Sequence, residues 1–420
     1  VVDIMRKNHY YCFYMGPGTG KTIMALNYIA SKLNPVRQQN FVVITPKSVI
    51  SQYKKEVKKF LPTINVAETT AQMVKSNDNI IVTNYESMKK LPQDIEFDGL
   101  IFDESHRLKN LTSDLHKEGT ELAARSKDVY MFTGTPQDAT RDEVMAQIRV
   151  MVPYLVPYKT HFMERYFYLD DYYKPQSEKR EKELDEIIRT MTYGDTTDNL
   201  LDLPDEVHFL VECKFQNKTL YNEFKAEGIV TVDGNTILAE NPASKNMKLR
   251  QMASGFVYIE DGIPIELENP RAVPFAELIL TLENGLIFTQ FKYDQMIVGE
   301  ILETIDRTYS SLSGANTAKQ NNQAVEDFKD GKVDFLVAQS RSGSTGLHLP
   351  NTTNIIYYSL PDSFIVYDQS KYRIRRRGQT KECHYYTLAV KGTEDKKMIR
   401  RLEKKLNASN NNFKLYRRSK

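Results

Sequence analysis

The chain has 420 residues, enough for two or three domains each with its own core, and its hydrophobic share of 40% and charged share of 27% are ordinary for a globular protein. No apolar run approaches the ~20 residues of a membrane-spanning helix, the opening "VVDIMRKNHYYCF" lacks the uncharged core of a signal peptide, and three dispersed cysteines (Cys12, Cys213, Cys383) offer neither a zinc spacing nor a disulfide framework. The formal net charge is +2, yet residues 371–420 carry 17 Lys and Arg against 4 Asp and Glu, a net of +13 that leaves −11 for the first 370. Such polarity predicts a localised anionic partner rather than a generally adhesive surface.

The first predicted unit, "YYCFYMGPGTGKTIMALNYIASKL", is a short β-rich run, a glycine loop and an amphipathic helix. Gly16, Gly18 and Gly20, with Thr19 between them, free the backbone to aim successive N–H groups inward, an anion cradle at a helix N-terminus. Lys21 would reach the β- and γ-phosphates, and the Thr22 hydroxyl would ligate Mg²⁺. The strict phosphate-loop pattern wants Gly at position 15, where this chain has Met15.

Further along, "FVVIT" precedes a helix with Val49, Ile50, Tyr53, Val57 and Phe60 on one face. "NIIVTNYESM" follows, and then "FDGLIFDESHRLKN", in which an apolar run ends on an Asp-Glu pair. An acidic pair after a strand is by itself most often a helix cap. Paired with a phosphate loop it takes a catalytic meaning: Asp103 to hold Mg²⁺ and Glu104 to position and deprotonate the attacking water. A helix near 112–126 and the strand "DVYMFTGTP" complete a βαβα order, so a buried parallel sheet is expected over residues 1–150, with its functional loops at the strands' carboxyl ends.

Residues 151–284 break this rhythm and are expected to form a mostly helical insertion and linker. From 285 the alternation restarts with "GLIFTQF", "TYSSLSG", "KVDFLVAQS", "TNIIYYSL" and "CHYYTLAV", a second parallel-sheet lobe over 285–406 without a phosphate loop of its own. Two α/β lobes with one complete nucleotide site predict a nucleotide held between them. Residues 407–420 are expected as a basic tail. "LPDEVHFLVECK" also matches a nuclease-like Asp205, Glu212, Lys214 pattern, outweighed by its position at the connector.

The ordered set "MGPGTGKT", "ITPKSVISQY", "VTNYES", "FDESHRLKN", "FTGTP", "LIFTQF", "SRSGSTGLHL" and "QSKYRIRRRGQ" resembles helicase superfamily two, and within it the Swi/Snf-type DNA-dependent ATPases, over roughly residues 15 to 390. The resemblance implies two RecA-like lobes and an ATP-driven motor on DNA. It implies that Arg373 and Arg376 are arginine fingers, with Gln369 a turn earlier. On a helix these three would share one face, where a positive charge can stabilise the transition state of phosphoryl transfer. It further implies that His106, Thr133, Gly134, Thr135 and Gly346 couple ATP state to neighbouring loops. Pro46, Lys47, Thr83, Asn84, Ser340 and Thr345 would grip the phosphates of one strand of a duplex without reading sequence. No glutamine stands in residues 1–14 to read adenine, so ATP as the nucleotide is itself implied by the resemblance. Tyr53, Arg375, Arg377 and His348 also depart from the family's usual residues.

The expected function is therefore an ATP-dependent translocase on double-stranded DNA. A strand-separating or branch-remodelling helicase is the alternative, and a DNA-binding scaffold with a vestigial motor is a third reading. A monomer is the default expectation, in the cytoplasm of a bacterial or phage-infected cell.

Overall fold

The structure is a computed structural model and describes residues 1–34, 36–67, 78–137, 140–156, 158–259, 262–340, 347 and 349–416. The chain forms two compact units, Val1–Asp202 with Asn407–Lys420, and Leu203–Leu406. The segment 151–284 is thus divided between them. No helix among the described residues is long and apolar enough to cross a membrane.

The first unit is built on a seven-stranded, all-parallel sheet. Its strands are β1 (Tyr10–Met15), β2 (Gln39–Ile44), β3 (Asn65–Ala67), β4 (Asp78–Thr83), β5 (Phe97–Asp103), β6 (Ser126–Thr133) and, after an antiparallel hairpin of β7 (Phe167–Leu169) and β8 (Pro175–Glu178), β9 (Thr192–Asp195). The order β3-β4-β2-β5-β6-β1-β9 places the phosphate-loop strand between β6 and β9. Both faces are covered, which is why β1 is apolar throughout: Cys12 and Tyr14 enter one core, and Tyr11, Phe13 and Met15 enter the other. Phe41 and Val43 oppose Val42 and Ile44 in the same way. Tyr53, on the helix Ile50–Phe60, is fully buried in the second of these cores and fills it with an aromatic ring.

The second unit carries a six-stranded parallel sheet of β10 (Glu206–Cys213), β15 (Gly285–Thr289), β16 (Tyr309–Leu312), β17 (Phe335–Gln339), β18 (Asn354–Tyr357) and β19 (Cys383–Val390), in the order β10-β19-β18-β15-β17-β16. Two antiparallel hairpins, β11 (Ile229–Val232) with β12 (Asn235–Leu238) and β13 (Phe256–Tyr258) with β14 (Pro264–Glu266), stand among the helices that precede β15. Leu286 and Phe288 face one core while Ile287 faces the other. Behind the sheet, the fully buried Arg271 donates to Ser254 and, at 2.6 Å, to Asp395, so its charge is paired where water cannot reach it.

The last helix runs from Glu394 to Tyr416, through the first part of the segment expected as a basic tail. Tyr416 is buried in the first unit, its ring edge-on to Tyr14 at 4.9 Å and its hydroxyl 3.0 Å from Gln137 Oε1.

Candidate nucleotide and nucleic-acid site

The glycine loop leaves β1 at its carboxyl end and opens the helix Lys21–Lys32. Gly20 is the residue before that helix and adopts φ 86°, a left-handed conformation that a side chain would strain. Thr19 Oγ1 donates to the Gly16 carbonyl at 2.7 Å, which closes the loop on itself. The Lys21 ammonium donates to the carbonyls of Met15 at 3.1 Å and Gly16 at 3.3 Å, so it lies across the loop mouth. Met15 sends its side chain into the core and contributes only a carbonyl, and the residue that departs from the strict pattern does not intrude on the cradle.

Asp103 ends β5, two strands from β1 across β6. It is buried; the Thr45 hydroxyl donates to its Oδ2 at 3.0 Å, and the Tyr85 hydroxyl donates to its backbone carbonyl at 2.7 Å. Burial and the neighbouring Glu104 push its carboxyl up to about 6, against the pull of the Lys21 ammonium and the Thr45 hydrogen bond. Glu104 has φ 57° and ψ 49°, a left-handed residue that begins the short 3₁₀ turn Ser105–Leu108. That conformation is rare for a residue with a side chain and marks a site where surrounding structure holds the backbone under strain.

Around Glu104 the structure brings together residues of two of the quoted motifs, "FDESHRLKN" and "FTGTP". Thr133 Oγ1 donates to Glu104 Oε2 at 3.3 Å, His106 Nδ1 lies 3.3 Å from the same carboxylate oxygen, and His106 Nδ1 and Thr133 Oγ1 are 3.1 Å apart. The Thr135 amide donates to Thr133 Oγ1 at 3.1 Å. Gly134 lies against the glycine loop, where a Cβ would come within 3.1 Å of Pro17 Cδ and 3.2 Å of the Met15 carbonyl. Residues not singled out in the sequence also support the site. Thr45 and Tyr85 hold Asp103, and the buried pair Ser105–Gln147, at 2.8 Å, fixes the turn after Glu104. Thr45 and Tyr85 lie inside quoted motifs; Gln147 lies in an ordinary helix and carries no local signal.

Pro46 and Lys47 follow β2, and Thr83 and Asn84 end and follow β4. These strands are paired with Ile44 opposite Thr83, and the Thr45 amide donates to the Thr83 carbonyl at 2.9 Å, so the two loops are adjacent. Lys47 is exposed, and Asn84 Oδ1 is buried with no hydrogen-bond partner among the described residues. In the second unit Ser340 follows β17 and its hydroxyl donates to the Thr289 carbonyl at 2.9 Å. Thr345, Gly346 and His348 lie outside the described residues.

The arginine-rich stretch corrects one expectation. Gln369 is on the helix Phe364–Lys371, but that helix ends before Arg373 and Arg376, which therefore do not share a helical face with it. The Lys371 carbonyl, which a continuing helix would offer to residue 375, instead accepts from the buried Tyr385 hydroxyl at 3.0 Å, and Ile374 is drawn fully into the core. Turns take over, and they bring the two arginines to one acceptor: Arg373 Nη1 and Arg376 Nη1 donate to the Leu347 carbonyl at 3.2 and 3.0 Å. Burial pushes the Arg376 guanidinium down from its ordinary value. Arg375 is a packing residue, donating to the Pro204 carbonyl at 2.7 Å beside Glu206, while Arg377 is exposed. Gln379, which closes the motif, donates to the carbonyls of Pro350 and Thr352 and holds that loop.

The nuclease-like pattern does not assemble. Glu212 and Lys214 pair with each other at 3.3 Å, Asp205 precedes the opposite end of β10, and no metal-binding cluster of His, Cys, Asp or Glu occurs among the described residues.

The SNF2-related domain matches residues 14–254, and the helicase conserved C-terminal domain matches residues 275–378. The chain belongs to the SNF2-related family, the same class that its motifs resemble. It is 23% identical to the SWI/SNF chromatin-remodeling complex subunit snf22 of Schizosaccharomyces pombe, over 93% of this chain but 26% of that protein. It is 24% identical to the uncharacterized ATP-dependent helicase YqhH of Bacillus subtilis, over 93% of this chain and 73% of that protein. With the ISWI chromatin-remodeling complex ATPase ISW1 of Saccharomyces cerevisiae it shares 23% identity over 93% of this chain and 37% of that protein. Among solved structures it is similar to the Sulfolobus solfataricus SWI2/SNF2 ATPase core in complex with dsDNA, with a TM-score of 0.44 and 21% identity over 95% of this chain and 87% of that one.

Proposed function

We propose that this chain hydrolyses ATP and couples the hydrolysis to movement along double-stranded DNA. The observation that carries this reading is the convergence on one sheet edge of a glycine loop with its lysine, a buried carboxylate raised to about 6, and Glu104 held by Thr133 and His106. Family membership supports the same chemistry.

Glu104 is the residue to orient the attacking water and take its proton, because Thr133 and His106 aim its carboxylate while part of the side chain stays exposed. Lys21 neutralises the phosphates as it leaves the carbonyls that now accept it. Gly18, Thr19, Gly20 and Thr22 line the cradle, and Gly16, whose amide is given to the Asp195 carbonyl, shapes it from behind. Arg373 and Arg376 supply positive charge to the transferring phosphoryl group, with Gln369 beside them in the motif. The donors present, a carboxylate at Asp103 and a hydroxyl at Thr22, are hard oxygen ligands of the kind Mg²⁺ takes. Bound there, the ion would neutralise charge on the phosphates.

Pro46, Lys47, Thr83, Asn84, Ser340 and Thr345 are proposed to grip backbone phosphates, so binding is sequence-nonspecific and weakens with salt. His106, Thr133, Gly134, Thr135 and Gly346 are proposed to relay nucleotide state to these loops. A monomer acting on DNA in the cytoplasm of a bacterial or phage-infected cell is the setting this reading implies. The reading is tested by displacement of a third strand from a triplex: ATP-dependent release, abolished by Glu104→Gln, supports it. Unwinding of a forked duplex without triplex displacement favours the strand-separating alternative.

A further inference from the structure

The glycine loop is backed by a segment that no motif marks. Strand β9 pairs in parallel with β1 so that Met15 stands opposite Asp195, and the pairing continues into the loop, where the Gly16 amide donates to the Asp195 carbonyl at 3.1 Å. Thr197, buried at 1% exposure, donates its hydroxyl to the Pro17 carbonyl at 2.8 Å. The approach is close enough to dictate a residue: a Cβ on Gly16 would stand 2.2 Å from Thr197 Oγ1 and 2.5 Å from its backbone nitrogen. The turn that aims Thr197 is itself fixed, because the Asp195 carboxylate accepts from the Thr196 amide at 3.0 Å and from Asn199 Nδ2 at 2.8 Å.

We infer that Thr197 is a positioning residue for the nucleotide, acting through the peptide that joins Pro17 to Gly18. That peptide is trans, so its carbonyl and the Gly18 amide point in opposite directions. By holding the Pro17 carbonyl toward β9, the Thr197 hydroxyl turns the Gly18 N–H the other way, into the cradle where an anionic phosphate is bound. Gly16 cannot do this work, since its own amide is given to Asp195. The loop is thus set in its phosphate-binding form from behind, by a residue 180 positions away in sequence.

This inference rests on the nucleotide-binding reading, and the experiment separates the two. ADP binding is measured by calorimetry for the wild-type chain and for the Lys21→Ala, Thr197→Val and Thr197→Ser variants, with the thermal midpoint of each taken without nucleotide. Thr197→Val is expected to weaken ADP about tenfold, the scale of one lost hydrogen bond, while Thr197→Ser stays within about twofold and both midpoints stay near the wild type. Wild-type affinity in Thr197→Val, or an equal loss in Thr197→Ser, overturns the inference. If Thr197→Val does not fold, the exposed Asn199→Ala serves instead: weaker ADP binding supports the role of the turn, and unchanged binding overturns it. A wild-type chain that binds ADP no better than Lys21→Ala overturns the nucleotide reading itself.

Discussion

Thr133 and Glu104 meet side chain to side chain, the hydroxyl donating to the carboxylate across 3.3 Å at the ends of neighbouring parallel strands. His106 stands against both. The orientation of the proposed base is therefore set by the turn 133–135, which also lies against the glycine loop through Gly134. Thr133→Val removes the donor with little change of volume. It is expected to lower ATP turnover about tenfold while ADP affinity changes by less than about twofold, the pattern of an interaction that matters in the transition state. Steady-state phosphate release and ADP titration measure the two quantities.

Glu104→Gln keeps the shape of the side chain and removes the base. Turnover is expected to fall by at least about a hundredfold, the range of general-base catalysis, with nucleotide binding retained. Retained hydrolysis would transfer the role to another group.

The arginines separate by contact. Arg376 and Arg373 share the Leu347 carbonyl, and Arg377 is exposed. Arg376→Ala is expected to cut turnover about a thousandfold, as removal of an arginine finger does, and Arg377→Ala to change it by less than about twofold. Turnover assays with saturating duplex DNA compare them, and equal effects would undo the assignment.

Much of this site was legible in the sequence because its signals are local. A glycine loop between an apolar run and a helix, and an Asp-Glu pair ending another apolar run, need only a few adjacent residues to be recognised. The alternating strands gave both parallel sheets for the same reason. The arginine stretch was misjudged because its helix stops for long-range reasons: the Tyr385 hydroxyl takes the Lys371 carbonyl, and the core takes Ile374. Thr197 was invisible for a related reason. The strand that leads into it, β9, has only four residues, too few to show a period, and the importance of Thr197 lies in contact with Pro17. Tyr416 sits in a stretch whose charge pattern says solvent, and only the structure shows its ring in a core.

That burial gives a stability prediction. Tyr416 is 1% exposed and packs so closely on Gly194 that a Cβ there would lie 2.6 Å from its own Cβ. Tyr416→Ala is expected to cost about 3–5 kcal/mol, as for other large buried aromatic side chains. The loss appears in urea unfolding as an earlier transition of the first unit, and an unchanged curve would mean that the ring contributes nothing to it.

A pH dependence follows from Glu206. Burial tends to raise its carboxyl, but the His208 hydrogen bond, with Lys371 and Arg375, overrides this and holds it at about 2, below the ordinary 4.5. A depressed carboxyl stabilises the folded state fully above its unfolded value and loses that contribution as pH falls through the folded one. The difference in thermal midpoint between wild type and Glu206→Gln is therefore expected to be constant above about pH 5 and to shrink between about 4.5 and 2. A difference that grows toward low pH would contradict it.

A motor driven by ATP and engaged by duplex DNA turns over according to the nucleic acid it meets. Steady-state ATP hydrolysis is compared with no nucleic acid, duplex DNA, single-stranded DNA and RNA, with Glu104→Gln as the control. Strong stimulation by duplex that vanishes in the variant is the predicted result. Stimulation mainly by single strands or RNA, or no hydrolysis under any condition, would contradict it.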